Sequence, residues 1–304
     1  MSKKLNSVFK KNLINVLLLI PAILLLINIY NFLFPTDYRN EQYLINGYIS
    51  KENRKILYYL SEINRSEILS YKDAIKKIDQ QYSIYGESFQ FLQEAAKIYF
   101  ISKAPSNYSW IEKYTKIKFQ ENWLLFLIRI FEEFQIKNGK KSKYNEAYIF
   151  YHSSDYKFAL KRGISLCSQD AISFANLLNR RFNISYNIVG LDGHVLIQAK
   201  INNKFFLSDP NMGLTFKFNI DDYYENKKYQ TIVENTYKKI GQEDLAKHFN
   251  KSGNKIFNYT GPRNIENAYN PDTLTFYSNF LKWLLPILFL LILFFLKYKS
   301  KSLF

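Results

Sequence analysis

The middle of this 304-residue chain predicts an α+β fold, one helix followed by short strands, preceded by a helical region and flanked by an apolar helix at each end. Three observations predict it. No charge occurs between Lys11 and Asp37, and Lys282 is the one charge in a second apolar block from about Phe276 to Leu296. From Glu41 to about Lys140, apolar residues recur at intervals near 3.6. Beyond Asp155 the pattern becomes one helix followed by three short segments separated by turn residues.

The first apolar block, residues 13–34, reaches the roughly 20 residues that cross about 30 Å of hydrocarbon, and Pro21 is tolerable within it. A cleaved signal peptide is the alternative. The run exceeds a typical signal core, and no small-x-small site precedes Phe34-Pro35-Thr36-Asp37, so an uncleaved span is expected. In the second block the uninterrupted stretch Trp283–Leu296 covers only about 21 Å at helical rise. The preceding turn completes it, with Lys282 near an interface beside Trp283 and Tyr277. A buried core helix is the alternative there, and the Lys-rich tail favours a span. Lysines gather before the first block and after the second, which predicts both ends in the cytoplasm. The expected organisation is a cytoplasmic tail at 1–11, a transmembrane helix at 12–35, a helical extracytoplasmic region at 36–145, a sheet-bearing domain at 146–275, a second transmembrane helix at 276–296 and a tail at 297–304. The expected location is the cytoplasmic membrane, with the bilayer as partner.

The formal charge of +16 raises nucleic acid as a partner. Lys3, Lys4, Lys10 and Lys11 precede the first block, while Lys282, Lys297, Lys299 and Lys301 surround the second. Subtracting those eight leaves +8 for the centre. No basic helix, RNA-binding aromatic motif or zinc-finger spacing accompanies it, so no nucleic-acid partner is expected. An acidic envelope polymer fits the residual charge. The single cysteine allows no intrachain disulfide, and the one Cys and three His lack metal-ligand spacing, so neither a metal nor a cofactor is expected.

In the helical region Ile56, Leu57, Leu60, Ile63 and Leu69 share a face, as do Phe89, Leu92, Ala96 and Phe100. Glu121–Ile136 predicts a helix closed by Gly139, with Trp123, Leu124, Leu127, Ile128 and Phe131 in a wide apolar stripe expected to be core. Ser168–Arg181 predicts another, with Ala171, Phe174, Ala175 and Leu178 on one face. Ile184–Val189, His194–Ile201 and Lys204–Asp209 read as strands. Leu191-Asp192-Gly193 forms the first turn and Asn202-Asn203 a two-residue hairpin turn.

A lone cysteine is more often a small buried hydrophobe than a nucleophile. Cys167, however, immediately precedes a predicted helix, where backbone N–H groups and the positive end of the helix dipole favour thiolate and can stabilise an oxyanion. If Asn202-Asn203 is a two-residue turn, Leu196 faces Asp209, and His194 and Asp209 are diagonal neighbours on one face. A carboxylate can then orient an imidazole that deprotonates the thiol.

The residues Asp155, Gly163, Cys167 and Ala171, then Gly193-His194-Val195, then Leu207-Ser208-Asp209-Pro210 and Gly213 resemble the core of the transglutaminase-like superfamily, as a bacterial membrane-anchored member. The resemblance spans about 60 residues, Asp155 to Gly213. It implies a Cys-bearing helix packed on a sheet that carries the His and the Asp. Cys167 would be the nucleophile, His194 the general base and Asp209 the residue that orients the ring. The chain departs from the family's usual residues at Ser165-Leu166 and Gln169-Asp170. A cysteine-dependent acyl-transferase, peptidase or amidase acting on a protein or peptide outside the membrane is expected. A catalytically inactive binding or scaffold domain of an envelope assembly is the alternative.

Overall fold

A computed structural model describes residues 2–36, 69–103, 116–140, 155–163, 165–249, 255–257 and 271–301. The periodic stretch at 56–63 and His152 lie outside the described residues. The fold is α+β, and the chain divides into two compact units.

One unit joins residues 1–36, 117–149 and 273–304. Its helices are α1 (Ser2–Leu33), α4 (Trp123–Lys137) and α10 (Pro271–Lys301). Asn15–Leu33 and Thr275–Lys299 are long and apolar enough to cross a membrane. The two long helices run antiparallel. Asn28 donates from Nδ2 to the Lys282 carbonyl at 2.7 Å, and Lys297 Nζ donates to Asn15 Oδ1 at 3.0 Å. Helix α4 starts at Trp123 because the Asn122 side chain accepts from the Leu125 N–H and so becomes the N-cap. It stops before Gly139, whose φ is 73°. Only part of its apolar surface is core. Trp123 and Leu125 are buried, whereas Leu127 and Phe131 are exposed, contrary to the expectation for that stripe.

The other unit holds residues 37–116 and 150–272. Helices α2 (Tyr71–Tyr85) and α3 (Phe89–Ile101) are N-capped by Ser70 and Ser88. The run from Phe91 to Ile101 places eight residues in the core, including Leu92, Ala96 and Phe100 of the predicted face. Helix α5 (Tyr156–Arg162) begins at the Asp155 cap and ends at Gly163 in the left-handed region, which accounts for both residues of that motif. Helix α6 (Cys167–Phe182) buries Ala171, Phe174, Ala175 and Leu178 and lies on the sheet. Four strands follow, β1 (Tyr186–Gly190), β2 (Val195–Ile201), β3 (Lys204–Asp209) and β4 (Leu214–Phe216). Helices α7 (Ile220–Glu225), α8 (Lys227–Lys239) and α9 (Glu243–Lys247) lead to β5 (Lys255–Phe257). The sheet is antiparallel in the order β4-β3-β2-β1-β5.

The hairpin has the predicted register. Ile201 pairs Lys204 and Ile197 pairs Ser208. Asn202 and Asn203 take φ values of 47° and 64°, as a two-residue turn with left-handed residues requires. Glu87 holds the tip, accepting from the Asn202 N–H at 3.1 Å. Arg181 grips Asp79 through two hydrogen bonds and ties the end of α6 to α2. Strand β4 is only three residues long and β5 pairs with β1 across the whole β2–α9 stretch, Gly190 meeting Lys255, so neither left a periodic signal in the sequence.

The antiparallel pairing of α1 and α10 is testable in the full chain. In a Cys167→Ser background, Asn28→Cys with Lys282→Cys should form a disulfide on mild oxidation. Asn15→Cys with Lys282→Cys, separated by thirteen helical positions or about 20 Å, should not. The reverse pattern would contradict the pairing.

Candidate functional site

Cys167 opens α6 and is half-buried. Leu166 occupies the N-cap and supplies no side-chain cap, so no hydroxyl or amide from that position competes for the first-turn N–H groups. The Gly193 turn, with φ 87°, reverses the chain ahead of His194, and the Leu191 N–H closes it by donating to the His194 carbonyl at 2.7 Å. Its positive φ favours glycine at Gly193, and a Cβ there would stand 3.0 Å from Cε1 of the His248 ring, a close contact that the ring would have to relieve. His194 therefore sits just before β2 and is 3% exposed.

Asp209 ends β3 with no exposed surface. His194 donates from Nε2 to Asp209 Oδ2 at 2.8 Å. With that nitrogen engaged, Nδ1 is the ring atom left to meet Cys167, which is near enough to help raise the imidazole pKa. The structure thus brings Cys167, His194 and Asp209 together. Burial alone would push the imidazole pKa down. The charge and hydrogen bond of Asp209, with a smaller contribution from Cys167, overcome that and raise it to about 10. The ring then holds its proton through the neutral range.

The buried Asp209 carboxylate has donors on both oxygens. Oδ2 also accepts from the Tyr237 hydroxyl at 2.6 Å, and Oδ1 accepts from the Asn211 and Met212 N–H groups at 3.0 and 3.2 Å. Burial, followed by the Asp209 charge, drives the Tyr237 phenol well above its usual range, so it stays a donor. A second carboxylate lies one turn after the cysteine. Asp170 is fully buried and ion-pairs with Lys103, accepts from the Ser165 hydroxyl, and accepts from Asn211 Nδ2 at 2.7 Å. Asn211 therefore joins the two carboxylates, its backbone to Asp209 and its side chain to Asp170. Burial lowers the Lys103 pKa, while Asp170, Asp209 and Cys167 all favour its charged form.

Comparison of the chain with protein-family models, curated proteins and solved structures finds no match. The chemistry open to this site therefore follows from its own geometry. It sets a half-buried cysteine beside an imidazole that a fully hydrogen-bonded carboxylate orients.

The sequence did not single out Lys103, Asp170, Asn211 or Tyr237. Lys103 follows α3 in an apolar run, with nothing local to distinguish it from a solvated lysine. Tyr237 is one of 25 tyrosines. Asp170 carried a faint signal, being a charge one turn into a helix and next to its apolar face.

Two outcomes follow. The Lys103→Met variant leaves Asp170 buried without its cation and should lose about 3–5 kcal/mol of stability. Adding Asp170→Asn should recover most of that loss in denaturant titrations of the solubilised full chain. The second outcome comes from the raised His194 pKa. Its stabilisation is complete below about pH 6.5, the free-histidine value, and fades as pH climbs towards about 10. The stability gap between the wild type and His194→Gln should accordingly narrow with rising pH over that window. A gap that widens would contradict the charge assignment.

Proposed function

We propose that the chain is a membrane-anchored thiol enzyme of the transglutaminase-like kind. It would act on amide bonds of a protein or peptide at the outer face of the cytoplasmic membrane. The observation that carries this reading is the imidazole that bonds a buried carboxylate at 2.8 Å and is coupled to the cysteine at the start of α6.

In the proposed reaction the Cys167–His194 pair carries one proton, on the ring, and the Cys167 thiolate attacks the amide carbonyl carbon, forming a C–S bond and placing negative charge on the carbonyl oxygen. Backbone N–H groups of the first turn of α6 stabilise that oxyanion. His194 gives its proton to the departing amine as the C–N bond breaks, which leaves a thioester on Cys167. The neutral ring then takes a proton from water or from an acceptor amine. That nucleophile adds to the thioester and expels the thiolate, giving hydrolysis or transfer. Asp209 keeps the ring oriented throughout, and Lys103 offsets negative charge that would otherwise accumulate among Asp170, Asp209 and the thiolate.

The membrane reading rests on the two long apolar helices and on the lysines at their outer ends in sequence. With α1 and α10 antiparallel, both chain ends fall on one side, the cytoplasmic side by their lysines. Residues 36–275 then lie outside the cytoplasm, where the half-buried Cys167 can meet envelope substrates.

A thiolate-selective alkylating reagent tests the enzyme reading in native membranes. Cys167 should react rapidly near neutral pH, and His194→Ala should slow labelling by at least about tenfold, within the range for loss of a positioned acid or base. Slow labelling that ignores His194→Ala would instead support a non-catalytic binding or scaffold domain.

A further inference from the structure

Helix α4 is inverted for a water-soluble helix. Leu127, Ile130, Phe131 and Phe134 follow i, i+3, i+4 and i+7 spacing and form one continuous stripe. They are 50%, 43%, 61% and 61% exposed, while Leu125 and Glu132 on other faces are 4% and 5% exposed. Arg129 and Glu133, paired at 3.2 Å, lie off the stripe. Four large apolar side chains in a row form the kind of patch that marks an interaction surface.

The first turn of α4 is fastened beside the ends of both long helices. The Glu121 carbonyl accepts from Asn31 Nδ2 at 3.0 Å and from Lys282 Nζ at 3.2 Å. Asn122 donates to Ser278 Oγ and Asn279 Oδ1, both at 3.1 Å, while its own Oδ1 caps α4. Asn31 lies in the last turn of α1, and Ser278 to Lys282 lie early in α10. Exposed aromatic residues cluster at these same helix ends, among them Tyr30, Phe34, Phe276 and Tyr277. Aromatic residues with polar edges favour the headgroup boundary of a bilayer. The stripe thus continues an apolar surface that, on the membrane reading given above, already faces lipid. Lys137 and Lys140, exposed at and after the far end of α4, suit an anionic headgroup layer.

We infer that α4 is an interfacial helix, its Leu127–Ile130–Phe131–Phe134 face embedded in the outer leaflet of the bilayer as a third membrane contact between the two spans. The occupant of this face is lipid. The helix would hold residues 117–140 at the membrane surface, so that the chain has a fixed lipid-bound segment besides its two anchors. This inference rests on the membrane reading and is separable from it by experiment.

The full chain, in a Cys167→Ser background, is reconstituted in nanodiscs of phosphatidylethanolamine and phosphatidylglycerol. Single cysteines at Leu19, Phe294, Leu127, Phe131, Phe134 and Glu133 carry a nitroxide, and collision with oxygen is compared with collision with a water-soluble nickel complex. Leu19 and Phe294 report on the spans. The inference expects oxygen to dominate at Leu127, Phe131 and Phe134, as it does in the spans, with a shift towards nickel at Glu133. If the spans are oxygen-accessible but Phe131 and Phe134 favour nickel, the face meets water and the inference is overturned. If Phe131 and Phe134 collide poorly with both agents, protein covers the face, from a second copy or another part of this chain, and the inference is again overturned. Nickel access at Leu19 and Phe294 would remove the membrane reading itself, and this inference with it.

Discussion

A carboxylate with no access to water depends on its donors, because an unpaired buried charge is among the costliest defects a fold can carry. Asp209 is such a group, and it is satisfied by three separate parts of the chain. The turn after β3 contributes two backbone N–H groups, α8 contributes the Tyr237 hydroxyl, and the segment before β2 contributes His194. The sheet register, the seat of α8 and the orientation of the imidazole are therefore joined at one side chain. Its charge also overcomes the effect of burial on the ring, so a histidine that burial would leave neutral keeps its proton.

The surrounding charges extend this constraint. Asp170 lies one turn into the helix that Cys167 begins, and Lys103, from the end of α3, pairs with it. The site gathers two carboxylates and the cysteine that attacks as thiolate in the proposed reaction, with Lys103 and a protonated His194 as the opposing cations. Asn211 carries the connection between carboxylates, so the helix that positions the thiol and the strand that positions the imidazole share a hydrogen-bonded link. Such a network is costly if half-made and rigid when complete.

Much of this was legible from local chemistry. Helix α6 followed from its apolar spacing, and the hairpin register followed from two asparagines that tolerate positive φ. From that register came the diagonal placement of His194 and Asp209, which the structure brings to 2.8 Å. Asp155 and Gly163 stood out as motif residues, and their roles as cap and stop for α5 explain their spacing. What escaped was everything set by tertiary contact. A lysine buried beside a carboxylate looks like any other lysine in sequence, and Tyr237 looks like its many counterparts. The stripe of α4 misled for a related reason. Periodicity shows that a helix has an apolar face, but it does not say whether protein or another medium covers that face.

The central claim is that Asp209 holds the His194 imidazole protonated beside Cys167. Nuclear magnetic resonance of isotope-labelled histidine in the full chain tests it most directly, with the His194 signal assigned by its loss in His194→Gln. The ring should remain an imidazolium from about pH 6 to about pH 9 in the wild type, consistent with a pKa raised to about 10, and should become neutral in Asp209→Asn. A wild-type ring that titrates near the ordinary histidine value of about 6.5, unchanged by Asp209→Asn, would contradict the account.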